Sequence, residues 1–105
     1  MQSLYDVMSK RTWLKNMLGS NENNSACLVG GVAVAMYGDN HAYDTRYAAE
    51  CLKLGEVAAR LFPERLAKIP DGQWKAVWFN NHPETTYEEM LKVCRVYDEE
   101  RELEG

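Results

Sequence analysis

Residues 26–37 form a run of twelve consecutive residues without a charged side chain. A helix that is apolar on all sides has to be buried by the rest of the protein, because it has no face to present to water. The valines of the run also suit a buried strand. Its length and its content of alanine and methionine favour a helix. We therefore predict a helix over residues 26–37, capped by Ser25, at the centre of the fold.

Gly30 and Gly31 stand in the middle of this predicted helix. Glycine inside a helix costs about 1 kcal/mol relative to alanine. That cost is explained if a second helix crosses closely at this point, where any side chain would be in the way. The pair therefore predicts a close helix crossing that a leucine would disrupt. An alanine would have a mild or even favourable effect if the site were merely exposed.

The first and third predicted helices each carry a stripe of apolar residues at helical spacing. The first spans residues 4–18, is capped by Ser3 and stops at Gly19. Its inner stripe includes Met17 and Leu18. The other spans residues 45–62 and is followed by Pro63, which ends it or begins a short turn. Both helices are expected to pack against the central run.

The segment over residues 74–79 fits a helical face and a strand alternation equally well. Because it is short, we predict an ordered irregular or one-turn element that is rich in tryptophan. Turns are expected on either side of it, at residues 69–72 and 80–83, from their proline, glycine and asparagine content.

The last helix begins with a capping box, in which Thr86 and Glu89 have the right spacing and Thr85 with Glu88 is an alternative register. Its apolar pattern stops after Asp98, so the acidic tail at 99–105 is predicted to fray. The whole chain is then a single domain over residues 1–105 with an ordered core at 3–98. The fold class is all-α, a compact bundle of about four helices around a buried Gly/Ala-rich helix, with a short Trp-rich irregular segment.

Charge and cysteine content narrow the classes of function. The net charge is -4 and the pI about 5.1, so the basic footprint of a nucleic-acid-binding protein is missing. The C-terminal carboxylates read as a solvated helix end, or alternatively as an acidic docking surface or DNA mimic. Three cysteines without a CxxC pair indicate a reduced compartment. With neither a signal-peptide core nor a membrane-length apolar run, we predict a cytoplasmic protein that makes no membrane contact.

Cys27 is the one candidate nucleophile. Near the start of a helix, backbone amides would lower its pKa, and His41 or His82 would have to act as the base. The simpler interpretation is a small buried residue beside the glycine pair. The cysteines and histidines lack the paired short spacing of structural zinc sites, and a phosphate-binding glycine motif is missing. We therefore predict no catalytic residue, no metal and no cofactor.

A polar cluster lies beside Trp78 and Phe79. It consists of Asn80, Asn81, His82 and Thr85. Most of this cluster fits turn chemistry, in which asparagine and threonine side chains bond backbone groups. The alternative is a binding site edged by aromatic side chains. We predict a structural role for Asn80, and a partner-binding surface formed by Asn81, His82 and Trp78.

Several of these segments, in this order, resemble the domain-of-unknown-function family 6197. They are CLVGGVA at residues 27–33, LF at 61–62, VWFNN at 77–81 with Pro83 and Thr85, and YEEM at 87–90. The resemblance covers roughly residues 12–97. The family's Trp and Asp are replaced by Ala26 and Asn81. The resemblance implies a helical fold and an origin in actinobacteria or their phages, and it implies no activity.

These observations predict a small non-enzymatic binding protein that acts through protein–protein contacts, directed at a host protein if its gene is carried by a phage. A homo-oligomer is compatible with the same features. The alternative is a small cysteine-dependent hydrolase that uses Cys27 with His41 or His82. A nucleic-acid-linked role through mimicry is a third interpretation, while direct nucleic-acid binding is not expected because of the negative charge.

Overall fold

The computed structural model describes residues 1–70 and 73–104, and this part of the chain contains six helices and one pair of short strands. In chain order the elements are α1 (Leu4–Ser9), β1 (Thr12–Trp13), β2 (Ser25–Ala26), α2 (Leu28–Tyr37), α3 (Thr45–Leu61), α4 (Pro63–Leu66), α5 (Lys75–Asn81) and α6 (Tyr87–Glu104). The mainly α fold class is confirmed. The predicted turn at 69–72 includes Asp71 and Gly72, which lie outside the described residues.

The central helix is α2, and every residue from Leu28 to Ala35 is buried. It begins two residues later than predicted, because Ser25 and Ala26 are extended and pair with β1 in a parallel register. The cap is therefore Cys27 and not Ser25. The helix ends at Gly38, whose φ of 77° is the left-handed conformation that glycine adopts easily.

The first helix is much shorter than the predicted span of 4–18, because α1 ends at Ser9. Beyond it the chain crosses the start of α2 and bonds to β2 and its neighbour: the Thr12 amide donates to the Asn24 carbonyl at 2.9 Å and the Leu14 amide to the Ala26 carbonyl at 3.0 Å. These sheet bonds take the amides that a continued helix would use. The later part of the predicted stripe forms a loop, residues 14–19.

The two glycines of α2 are approached by different parts of the chain. A Cβ on Gly31 would overlap the Met8 sulfur, so α1 crosses α2 closely at this residue, as predicted. A Cβ on Gly30 would instead overlap the main-chain carbonyl of Leu18 in the 14–19 loop. The helix crossing predicted for the pair is therefore wrong for Gly30, where a loop makes the close approach.

The third helix matches its prediction to within one residue, and Asp44 caps it by accepting from the Tyr47 amide at 2.8 Å. The Trp-rich segment differs from its prediction. It forms a regular seven-residue helix, α5, that continues through Asn80 and Asn81, so the turn predicted at 80–83 begins only at His82. The α5 helix packs closely on α3, because a Cβ on Gly55 of α3 would lie 3.0 Å from the Ala76 amide nitrogen of α5.

The last helix begins with the predicted capping box. The Glu89 amide donates to the Thr86 hydroxyl at 3.2 Å, and the Thr86 amide donates to the Glu89 carboxylate at 2.9 Å. The helix then passes Asp98 and continues to Glu104, so the tail predicted to fray is helical as far as the structure describes it.

Asp98 joins the two ends of the described chain. Its carboxylate accepts hydrogen bonds from the Ser3 hydroxyl at 2.8 Å and from the amides of Leu4 and Tyr5, both at 2.9 Å. These amides belong to the first turn of α1, which has no partner for them within the helix. A side chain of α6 thus caps α1 together with Ser3.

Candidate functional site

Asn80 is the polar centre of the region that the sequence singled out. Its side chain is 1% exposed. The amide oxygen accepts from the Trp13 indole nitrogen at 2.7 Å and from the Leu28 amide at 3.0 Å. The amide nitrogen donates to the Leu14 carbonyl and to the Asn81 side-chain oxygen, both at 2.9 Å. Asn80 therefore fastens α5 to the 14–19 loop and to the first turn of α2.

Asn81 is held by one end of its amide only. Its side-chain oxygen accepts from the Asn80 amide nitrogen and, at 2.7 Å, from the Asn16 main-chain amide. Two N–H donors on one atom identify that atom as the oxygen and fix the orientation of the group. The Asn81 side-chain nitrogen has no hydrogen-bond partner within residues 1–70 and 73–104. It remains available to a ligand as a donor.

His82 belongs to the turn between α5 and α6. Its Nδ1 accepts from the Glu84 amide at 3.1 Å, and its carbonyl accepts from the Lys15 ammonium at 2.7 Å. Lys15 also donates to the Thr85 carbonyl at 3.0 Å and lies 5.1 Å from the centre of the Trp13 ring. The 14–19 loop is thus tied to this turn as well as to α5.

Two adjoining pockets lie along α5 and bring the predicted site residues together. One has a volume of about 280 Å³ and the other about 400 Å³, and Asn16, Val77 and Asn81 line both. Trp78 and His82 line only the larger one. We call the two pockets together the α5 groove. All three predicted residues, Trp78, Asn81 and His82, contribute to its wall.

Met17 and Leu18 belong to the same surface, which the sequence analysis missed. Both line the smaller pocket, and their exposed fractions are 65% and 37%, compared with 49% for Trp78. Their place in the predicted inner stripe of the first helix is therefore wrong. No local signal in the sequence reveals their position. The path of the loop depends on contacts between distant segments, including the close approach of Gly19, with its φ of 81°, to the Ser25 main chain.

The groove is electrically almost neutral, although the protein carries a net charge of -4. Its described lining contains no carboxylate, and its one guanidinium, Arg65, is paired with Glu89 outside the groove. The pair is bidentate, with N···O distances of 2.6 and 2.7 Å. These bonds lower the pKa of Glu89 to about 2. A ligand in the groove would therefore meet apolar side chains and amides.

Cys27 lies in the wall of the smaller pocket without a catalytic partner. Its Sγ accepts from the Gly30 amide at 3.4 Å, and burial raises the pKa of the thiol above its ordinary value. No hydrogen bond joins it to His41 or His82 in the part of the chain that the structure describes. The same residues contain no group of three or more potential metal ligands.

The raised pKa of Cys27 predicts slow alkylation. Because only the thiolate reacts, iodoacetamide at pH 7 should label the folded protein at least about tenfold more slowly than the urea-unfolded protein. The labelling rate should rise only as the pH passes the ordinary thiol range. Mass spectrometry of tryptic peptides measures this for each cysteine, with Cys51 and Cys94 as buried internal controls. Rapid labelling at pH 7 that Cys27→Ser abolishes would contradict the prediction and support the hydrolase alternative.

The fold and the groove define a class: a small, mainly helical protein with a neutral apolar groove. The chain matches the model of a family of unknown function (DUF6197) over residues 2–97, and it belongs to that family. The resemblance seen in the sequence is thereby confirmed. Searches of curated proteins and of solved structures found no match. Among the described helices, none is long and apolar enough to cross a membrane.

Proposed function

We propose that this chain is a small non-enzymatic binding protein that docks to another protein through the α5 groove. The observation that carries the proposal is the clustering of Met17, Leu18 and Trp78, three exposed apolar side chains, around adjoining pockets. Single exposed apolar residues are ordinary on soluble proteins, but apolar side chains gathered around a concave surface are typical of interaction sites.

Trp78 is not needed to hold α5 in place. The helix is held in place by its neighbours Ala76 and Phe79, both fully buried, and by the Asn80 network. Trp78 is half exposed, and it adds the largest apolar side chain of α5 to the groove. Tryptophan at the edge of a pocket is the residue type most often found to dominate a protein interface. A role in docking therefore explains why a large apolar side chain is half exposed at this position, which a role in folding does not.

The acidic C-terminal end is a less suitable docking surface. Three of its carboxylates already have partners in the same chain: Glu89 pairs with Arg65, Glu100 pairs with Arg60, and Asp98 caps α1. Groups already paired would have to give up these partners to bind a basic protein or to imitate DNA. The groove offers unpaired apolar surface instead, whose burial contributes about 25 cal/mol per Å².

The hydrolase alternative has less support than docking. A nucleophilic cysteine needs a lowered pKa and a neighbouring base, whereas burial raises the pKa of Cys27. For the cellular setting we propose the cytoplasm, in keeping with the three unpaired cysteines. If the gene is carried by a phage of actinobacteria, the partner would be a protein of the host.

Replacing Trp78 by alanine should weaken partner binding at least about tenfold, which is the usual effect of losing an interface hot spot. A partner captured from lysate is first identified and purified, and its affinity for each variant is then measured by calorimetry. The control is Leu52→Ala on α3, whose side chain is 51% exposed and lies outside the groove. Thermal melting should show that both variants are folded. Equal affinities of the Trp78 and Leu52 variants would contradict the proposal.

A further inference from the structure

We infer that the α5 groove takes an extended, uncharged segment of the partner protein, with apolar side chains in the two pockets and a main-chain carbonyl hydrogen-bonded to the Asn81 side-chain nitrogen. The inference rests on the proposed function and adds to it the chemistry of the occupant. Three features of the groove carry it: the oriented amide of Asn81, the two adjoining pockets, and the missing charge.

The amide of Asn81 supplies the polar anchor. Asn16 and Asn80 hold its oxygen, so the nitrogen is fixed in direction and keeps both N–H groups. Asn81 lines both pockets and therefore stands where they meet. A donor held in place in a largely apolar groove calls for an acceptor on the ligand, since a buried N–H without a partner would cost free energy.

A main-chain carbonyl of an extended segment is the acceptor that suits this position. Inside a helix the carbonyls are already bonded to amides four residues later, whereas an extended segment leaves them free. Side chains two residues apart on an extended segment point to the same side, about 7 Å from each other. In the proposed arrangement two such side chains enter the adjoining pockets, and a main-chain carbonyl of the same segment meets Asn81.

Charge complementarity limits the occupant to uncharged residues. The described lining has no carboxylate, and its guanidinium is neutralised by Glu89, so an ionic side chain of the ligand would find no counter-charge. Moving an unpaired charge from water into such a groove is strongly unfavourable. The walls formed by Met17, Val77 and Trp78 favour large aliphatic or aromatic side chains instead.

The test is a selection of random 12-residue peptides displayed on phage, carried out on the full-length protein. We expect enriched peptides with two large apolar residues separated by one residue and with no charged residue in that stretch. Capped synthetic peptides of these sequences should bind in solution. Their binding should weaken at least tenfold in Trp78→Ser and remain unchanged in Leu52→Ser.

Asn81→Asp tests the hydrogen bond itself. Aspartate keeps the oxygen that accepts from Asn16 and Asn80, but it replaces the free nitrogen by a second oxygen. The melting temperature should therefore stay close to that of the wild type, while peptide affinity falls at least tenfold. Replacing the central peptide amide by an ester weakens its carbonyl as an acceptor. That change should reduce binding to the wild type and have little further effect on Asn81→Asp.

The outcomes distinguish a failure of the inference about the extended segment from a failure of the proposed docking function. Enriched peptides that are charged, that bind as helices or that ignore Asn81→Asp would overturn the inference. So would the failure to select any peptide, or self-association of the chain through the groove. If the purified partner still depends on Trp78 in these cases, the proposed function stands without the extended segment. If binding of the partner does not depend on Trp78, the inference and the proposed function both fail.

Discussion

Replacing Asn80 by alanine should lower the free energy of unfolding by about 3–5 kcal/mol. The substitution removes a partner from four groups. The Asn81 side-chain oxygen keeps Asn16 as a second donor, but the Trp13 indole N–H, the Leu28 amide and the Leu14 carbonyl lose the Asn80 bond without such a replacement. A buried polar group left without a partner costs about 1–3 kcal/mol. Because Asn80 is almost completely buried, water can replace its bonds only if the surrounding structure opens.

Urea unfolding followed by circular dichroism measures this loss. Asn23→Ala is the matched control, because Asn23 is exposed and no hydrogen bond of its side chain is found in the described structure. That variant should remain within about 0.5 kcal/mol of the wild type. The indole N–H resonance of Trp13 should also shift in Asn80→Ala. A loss below 1 kcal/mol would show that the three groups find other partners and that the network is not central to the fold.

Replacing Gly30 by alanine should destabilise the protein by about 3 kcal/mol, the upper end of the usual effect of overpacking. The new methyl group would overlap the carbonyl of Leu18, which is part of the main chain. That carbonyl cannot move away freely, because it accepts a hydrogen bond from the buried Asn40 amide at 2.9 Å. From the sequence, a mild effect of alanine is expected only for an exposed glycine, and Gly30 is buried.

Gly31→Ala is the comparison for this prediction. The methyl group would there meet the side chains of Met8 and Leu4, and a methionine side chain can adjust more easily than a backbone carbonyl. We expect a loss of about 1 kcal/mol, consistent with a side chain that yields part of the way. Thermal and urea unfolding of both variants measure the difference. A Gly31→Ala variant less stable than Gly30→Ala would reverse the roles assigned to the two glycines.

The long helices could be predicted from the sequence because their signals are local. The apolar run of α2, the stripe of α3 and the capping box of α6 all lie within the element that they define. The errors fall where bonds between distant residues determine the path of the chain. The 14–19 loop is held by Asn80, which is more than sixty residues away from Leu14 and Trp13. No helical period within residues 4–18 contains that information.

In the candidate site, too, local patterns could be predicted from the sequence and contacts between distant segments could not. Trp78, Asn81 and His82 were suggested by an aromatic residue beside amides, a local pattern. Met17 and Leu18 belong to the same groove only because the loop turns outward, and their spacing alone indicated a helix core. The role of Asn80 was predicted as structural, but its partners were not, since they come from three other segments. The pockets could therefore be recognised only once these segments were placed together.

The bonds from Asp98 to the start of α1 have a consequence for the order of folding. A six-residue helix is too short to persist alone in water, and the carboxylate that caps it is more than ninety residues away in the chain. We therefore expect α1 to become stable only once α6 has docked against it. Closing such a long loop is slow compared with forming local contacts. Until then α2 lacks the cover that α1 gives to Gly31, so part of the most apolar segment of the chain stays exposed until a late step of folding.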